Sequence, residues 1–151
     1  MNLPLLLFGA FVLLAAFNAG TMTTLQLQHY SLYPQVGRDA FIGYIRANNR
    51  AALVPAILPA MLLLGTSIGL MIRRPSFMTS GTAGLILVLN VVQLGSSIGW
   101  QRRLQAEMAE TGFDARKTQL LVATNWIRTA AFLIQAALAT RIVVTTLGSF
   151  S

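Results

Sequence analysis

Two residues of this sequence are best suited to chemistry, His29 and Arg128. His29 is the single histidine of the chain, and imidazole is the side chain whose ordinary pKa permits proton transfer near neutral pH. Arg128 follows Asn125 by three residues on one face of a predicted helix, where a cation can stabilise developing oxyanion charge. A base beside such a cation suffices to deprotonate an acidic C–H group or a phenol. We therefore predict His29 and Arg128 as catalytic residues.

Polar and aromatic side chains in the same parts of the sequence are candidates for substrate binding. Tyr30 and Tyr33 flank His29, and Asn90 and Gln93 form a polar stripe in an apolar segment. Polar groups in hydrocarbon are costly unless they are satisfied, so this stripe should face the polar side of the last helix or a wet cavity. The residues predicted to bind substrate are Tyr30, Tyr33, Asn48, Asn90, Gln93, Trp100, Asn125 and Trp126.

Each of these residues also has a purely structural interpretation. Arg128 can extend towards phosphate headgroups instead of facing a ligand. His29 and its tyrosines can form an aromatic belt at the membrane interface, with the imidazole bonded to a carbonyl. Asn48 can simply end a surface helix. The sequence leaves both interpretations open at each position.

Composition and apolar patterning predict the elements that must position these residues. The 151 residues are 55% hydrophobic and 10% charged, whereas a soluble domain carries about 25% charged residues. Four apolar runs are long enough to cross a bilayer, which takes about 20 residues: residues 3–20, 51–72, 82–100 and 126–147. We predict an all-α fold, an integral membrane four-helix bundle that forms a single domain over residues 1–151.

The segments between the spans, residues 21–50 and 101–125, are predicted to cap one side of the bundle. Phe41 and Ile45 recur at helical spacing after Asp39, a candidate N-cap, which predicts a short helix lying at the membrane surface. Farther on, Gly112 should stop a helix and Asp114 should cap the next one. The third and fourth spans should therefore extend beyond the bilayer as one antiparallel hairpin.

The counts of titratable residues exclude several kinds of site. The chain has no cysteine, one histidine and four acidic residues, too few for an ordinary zinc or iron site, so we predict no metal site. No phosphate-binding glycine loop or dinucleotide-binding pattern is present, and the cofactor stays open. The net charge of +7 comes from residues at the ends of apolar runs, which favours membrane lipid over nucleic acid as the partner.

Basic residues also predict an orientation. The cap side holds more of them than the opposite side, namely Arg38, Arg46, Arg50, Arg102, Arg103, Arg116 and Lys117 against Arg73, Arg74 and Arg141. The positive-inside rule then places the long loops in the cytoplasm and both termini outside, in the cell membrane. No Lys or Arg precedes the first apolar run, so we interpret it as a retained span and not as a cleaved signal peptide.

Three segments carry a resemblance to known proteins: HYSLYPQVG at 29–37, YIRANNR at 44–50 and TNWIRTAA at 124–131. They resemble small bacterial four-helix membrane proteins of unassigned function. More distantly, the architecture and the Asn-x-x-Arg opening of the last helix resemble the anthrone-oxygenase-like family. That resemblance implies oxidation of an anthrone to an anthraquinone by dioxygen, without an evident metal or flavin. In such a reaction, His29 would remove the acidic proton, and Arg128 with Asn125 would hold the oxyanion.

The favoured function is therefore a small oxidoreductase or oxygenase-like enzyme acting on a lipophilic aromatic or quinone-like substrate that enters from the bilayer. The main alternative is a structural or accessory subunit that binds a larger membrane complex through its helix faces. A transporter or lipid-binding protein ranks third. The expected partners are membrane lipid, a lipophilic small molecule, and either a second copy of the chain or a membrane complex.

Overall fold

The chain folds as an all-α bundle, as the sequence predicts. The structure is a computed structural model that describes residues 2–148. Its α-helices are α1 (Leu3–Thr24), α2 (Arg38–Ala51), α3 (Leu58–Ile72), α4 (Ser80–Ser96), α5 (Arg102–Thr111) and α6 (Ala115–Gly148). Three π-helical turns, Leu25–His29, Leu53–Ile57 and Ser97–Gln101, and one 3-10 segment, Tyr30–Gln35, extend or join them.

Four continuous helical segments are long and apolar enough to span a membrane: Leu3–Gln35, Leu53–Ile72, Ser80–Thr111 and Ala115–Gly148. They coincide closely with the four predicted spans, the second of which begins two residues later than predicted, and they fit a multi-pass membrane protein. The first helical segment runs to Gln35, so residues 21–35 are a helical extension of the first span and not a separate loop. Their few turn-forming residues explain this continuity, because Pro34 is the first proline after Pro4.

The four long segments form a closed ring of neighbours. α1 packs against α3 and α6, and α4 packs against the same two helices, so α1 and α4 lie on opposite corners. Their shared core is apolar and includes Phe8, Phe11, Leu63, Leu70 and Ile86. This core runs from the end of the bundle where the α3–α4 connection turns up to Met22 and Ala56 near the cap.

The cap is built by α2 lying against α5. Phe41 and Ile45 of α2 are fully buried, so the predicted helical face is the one that packs. One detail of the prediction is wrong: Gly37 is the N-cap of α2, and Asp39 lies within its first turn. A carboxylate in the first turn still interacts favourably with the helix dipole, which explains the acid at this position.

The hairpin tip between α5 and α6 follows the prediction. Gly112 has a positive φ of 86°, a conformation open to glycine without strain, and it ends α5. Asp114 Oδ1 accepts a hydrogen bond from the Lys117 backbone N–H at 3.0 Å. This bond holds the pKa of the Asp114 carboxyl below its usual value. Asp114 therefore caps α6 as expected.

The π-helical turns all lie at the cap end of their helices. In the turn before α3, Pro55 has no backbone N–H, and the Ile57 N–H bonds to Ala52 O, five residues back, at 3.1 Å. The equivalent bonds close the other two turns, from Tyr30 N–H to Leu25 O and from Arg102 N–H to Ser97 O. Such turns widen a helix locally and are frequent at functional sites.

Candidate functional site

A cavity of about 580 Å³ lies where the cap meets the bundle. This volume is within the range of small-molecule sites, roughly 300–1,000 Å³. Residues of all three π-helical turns line it, together with residues of α2, α3, α4, α5 and α6. The three π-helical turns, which belong to three different long helices, therefore lie around this cavity.

Four polar side chains that line the cavity each have an atom without a hydrogen-bond partner, and we call these four residues the polar wall. Within residues 2–148, six buried side-chain polar atoms have none, and four of these belong to residues that line the cavity. Those four are His29 Nε2, Asn49 Oδ1, Gln101 Oε1 and Arg128 Nε. Buried polar groups are nearly always satisfied in native proteins, so this concentration indicates a place where a ligand or water completes the bonding.

Arg128 points into the bundle, which is the inward of its two predicted orientations. Its Nη1 donates to Asn125 Oδ1 at 3.3 Å, and the Tyr30 hydroxyl lies beside the guanidinium. The ion pairs of the described residues join Glu107 to Arg103 at 3.0 Å and to Lys117 at 3.1 Å. None of them involves Arg128. The cavity therefore contains a positive charge that only neutral groups contact.

A buried hydrogen-bond chain fixes the position of Arg128. Gln26 Nε2 donates to Val122 O at 3.2 Å, and Asn125 Nδ2 donates to Gln26 Oε1 at 2.7 Å. The Asn125 amide is therefore oriented with its oxygen towards Arg128. Asn125 is fully buried and does not line the cavity. It contacts the guanidinium of Arg128, which does line the cavity, and its role in substrate binding stays a prediction.

His29 lies in a cluster of tyrosines. Its ring centroid is 5.5 Å from that of Tyr30, 5.3 Å from that of Tyr33 and 6.2 Å from that of Tyr44, to which it is roughly parallel. His29 and Tyr30 line the cavity, whereas Tyr33 is buried behind them. The rings restrict the imidazole, and its Nε2 has no partner among the described side chains.

The other predicted binding residues divide into two groups. Asn48 lines the cavity and donates to the Tyr33 hydroxyl at 3.4 Å. Asn90 and Gln93 line its deeper end and are hydrogen-bonded within the bundle, Asn90 to Ser67 Oγ at 2.8 Å. The two tryptophans do not line it: Trp100 and Trp126 are each 48% exposed. Their outward position is typical of tryptophans at a membrane–water interface.

Several residues of the cavity were not among the predicted site residues. Gln101 donates from Nε2 to Leu121 O and to Thr124 Oγ1, each at 2.9 Å, which leaves its oxygen free. Asn49 and Gln105 also line the wall. Its position could have been predicted, because Gln101 continues the polar stripe of Asn90 and Gln93 at helical spacing. The π-helical turn that contains Gln101 has no recognisable sequence pattern.

The described residues contain no group of three or more His, Cys, Asp or Glu side chains placed to hold a metal ion. What the site does contain is one imidazole, the guanidinium groups of Arg128 and Arg102, a phenol and several amides around an otherwise apolar space. Such a set can bind a mostly apolar molecule, orient its polar edge, accept a proton and stabilise negative charge.

Comparisons with known proteins provide no further assignment. No family model, no curated protein and no solved structure matches the chain.

Proposed function

We propose that this protein is a membrane-embedded enzyme, an oxidoreductase or oxygenase-like protein, whose substrate is a lipophilic aromatic or quinone-like molecule. One observation carries the proposal. An apolar cavity at the cap end of a membrane bundle contains His29 and Arg128 together, both with unpaired buried nitrogen atoms. A base and a cation without a carboxylate partner are the groups that formation of an enolate or phenolate requires.

The reaction class proposed is oxidation of an anthrone-like methylene by dioxygen. His29 takes one proton from the acidic methylene, and the enolate oxygen is stabilised by Arg128. Dioxygen is the oxidant: one of its oxygen atoms replaces the two methylene hydrogens to form the new carbonyl, and the other leaves as water. Four electrons pass from the substrate to dioxygen. Asn125 and Gln26 contribute by holding the guanidinium in place.

Dioxygen consumption tests this proposal directly. The purified protein in detergent is expected to consume dioxygen with anthrone and to form anthraquinone. His29→Ala and Arg128→Ala should each lower the rate by about 100-fold or more, the usual effect of removing a general base or an oxyanion donor. Arg141→Ala is the matched control, because Arg141 is an exposed arginine of the same helix outside the cavity, and its rate should not change.

The result also separates the alternative functions. If the wild-type protein neither consumes dioxygen with anthrone nor binds it, the enzyme proposal fails. Co-purification of a stoichiometric partner in mild detergent, lost on changing lipid-facing residues, would then support the accessory-subunit alternative.

We further propose the orientation that the basic residues favour, with the cap in the cytoplasm of a cell membrane and lipid headgroups around its arginines. The chain has no cysteine, so a single introduced cysteine is a unique label. In whole cells, a membrane-impermeant maleimide should label Arg74→Cys, in the α3–α4 connection, and not Arg116→Cys, near the hairpin tip. The reverse pattern would invert the orientation and leave the site unaffected.

A further inference from the structure

The cavity is open on one side, between α3 and α4. Ile57, Met61, Leu94 and Ile98 line it and are also 47%, 50%, 39% and 60% exposed. We call this opening the α3–α4 gap. In a membrane, the surface on which these side chains are exposed is covered by lipid tails and not by water. The gap therefore connects the polar wall of the cavity with the hydrocarbon of the bilayer.

Small side chains make the gap deep. Ala52, Ala56 and Ala60 recur every fourth residue along one face of the chain entering α3, and all three line the cavity. Residues at this spacing lie one above the other on a helix. A column of methyl groups takes up less of the cavity than longer side chains would, and its apolar surface suits a chain of methylene groups.

The unpaired atoms of the polar wall indicate which hydrogen-bonding groups the ring end of the ligand must carry. Gln101 uses both hydrogen-bond contacts of its Nε2 on the backbone and Thr124, so its free group is an acceptor that needs a donor. Arg128 Nε is a donor that needs an acceptor. A ring hydroxyl supplies both, whereas a fully oxidised quinone supplies acceptors alone.

From these observations we infer that the ligand is a tailed phenol: a hydroxyl-bearing ring held at Arg128 and Gln101, with an alkyl or isoprenoid tail lying in the α3–α4 gap along Ala52, Ala56 and Ala60. This inference rests on the proposed function and narrows it from aromatic molecules in general to single-tailed amphiphiles of the bilayer.

Three simple probes test the ring and the tail separately, on the whole chain in phosphatidylcholine nanodiscs. Para-dodecylphenol has both features, para-ethylphenol lacks the tail, and para-dodecylanisole lacks the donor. Binding is measured as the ligand-dependent rise in unfolding temperature. The dodecylphenol should bind about tenfold more tightly than either of the other two, a difference of about 1.4 kcal/mol.

Two pairs of variants locate the tail. Met61→Trp should weaken dodecylphenol binding about tenfold and leave ethylphenol binding nearly unchanged. Leu62→Trp is its control, because Leu62 is 52% exposed and does not line the cavity. Ala60→Leu should have the same selective effect, and Ala137→Leu, on an exposed face of α6, should not. Each control reports whether the added bulk alone affects folding.

Anthrone, which has no tail, distinguishes a wrong binding site from a wrong position of the tail. If anthrone does not raise the unfolding temperature, the proposed site itself is wrong. If anthrone binds but dodecylphenol binds no better than ethylphenol, or Met61→Trp behaves like Leu62→Trp, the tail does not lie in the gap. Equal weakening of both phenols by Met61→Trp would overturn the inference as well, because the gap would then be only an entrance. Equal binding of the anisole would overturn the assignment of the hydroxyl.

Discussion

The two ends of this bundle differ in whether their buried polar groups have hydrogen-bond partners. The closed half, around Phe11, Leu70 and Ile86, is densely packed, and the polar residues at its border with the cavity bond to one another. Gln135, for example, donates to Ile86 O at 3.0 Å and accepts from Gln93 at 3.4 Å. The open half, at the cap, contains the three π-helical turns, the cavity and four of the six buried polar atoms that are unpaired within residues 2–148.

This difference indicates where stability and function lie in the molecule. Pairing a buried polar group removes its desolvation cost, and leaving it unpaired retains that cost. The closed half uses its polar residues to fix which helices are neighbours. The open half keeps groups unpaired at a site where a ligand can satisfy them. Two unpaired atoms of the described residues, Asn18 Oδ1 and Ser96 Oγ, belong to residues that do not line the cavity.

Truncating the closed half should have the largest effect on stability. Phe11 is fully buried and Phe17, on the same helix, is 50% exposed. Phe11→Ala should lower the free energy of unfolding by on the order of 3 kcal/mol, because the cavity left behind loses packing contacts. Phe17→Ala, the control, should lower it far less. Detergent titration of unfolding measures both, and equal losses would show that the closed half is not tightly packed.

Removing a paired polar group should have the next largest effect. Gln135→Leu leaves Gln93 Nε2 without its acceptor and removes one of two side-chain donors to Ile86 O, which keeps the bond from Asn90 Nδ2. We expect a loss of about 1–3 kcal/mol in the free energy of unfolding, the usual cost of an unsatisfied buried group. Thermal unfolding in detergent provides the measurement. An unchanged midpoint would mean that water replaces the lost bonds and that this region is as open as the cap.

The matching change in the open half should not destabilise the protein. Asn49 Oδ1 is buried without a partner, so Asn49→Leu removes a cost and no bond from that oxygen. We expect an unfolding free energy that is unchanged or higher by up to about 1 kcal/mol. If Asn49→Leu destabilises the protein as much as Gln135→Leu does, the contrast between the halves is wrong.

The smallest effect is expected at the hairpin tip, and it depends on pH. The Lys117 N–H lowers the pKa of Asp114 in the folded state, so the carboxylate stabilises the fold fully above its unfolded-state pKa, about 3.9. This contribution disappears as the pH falls through the lower, folded-state pKa. Asp114→Asn keeps a capping oxygen and should lack that acid-dependent loss. Parallel acid titrations of wild type and variant would reveal it; identical curves would remove Asp114 as the cause.

Much of the architecture follows from local sequence properties. Span number and approximate bounds follow from apolar length, and the turn at Gly112 and Asp114 follows from the residues themselves. The burial of Phe41 and Ile45 follows from their spacing. The extension of α1 to Gln35 was not predicted, because polar residues such as Gln26 and Gln28 end an apolar run without ending a helix.

The candidate site was predicted only in part, because some of its residues are positioned by contacts with distant parts of the chain. His29, Tyr30, Asn48, Asn90, Gln93 and Arg128 are brought together around the cavity, whereas Trp100 and Trp126 face outwards and Asn125 lies behind Arg128. Gln101 and Gln26 were missed, because their roles depend on contacts with residues 20 and 96 positions away. The assignment of catalysis to His29 and Arg128 stays a prediction.

The amino-acid sequence alone determined that this chain is a four-span helical membrane protein with two polar stripes, because span length and helical periodicity are local properties. Tertiary structure alone decided which polar atoms find partners. That outcome depends on the order of helices around the bundle and on where three π-helical turns align, and both arise from contacts between distant segments. The inward orientation of Arg128 and the cavity beside it belong to this second category.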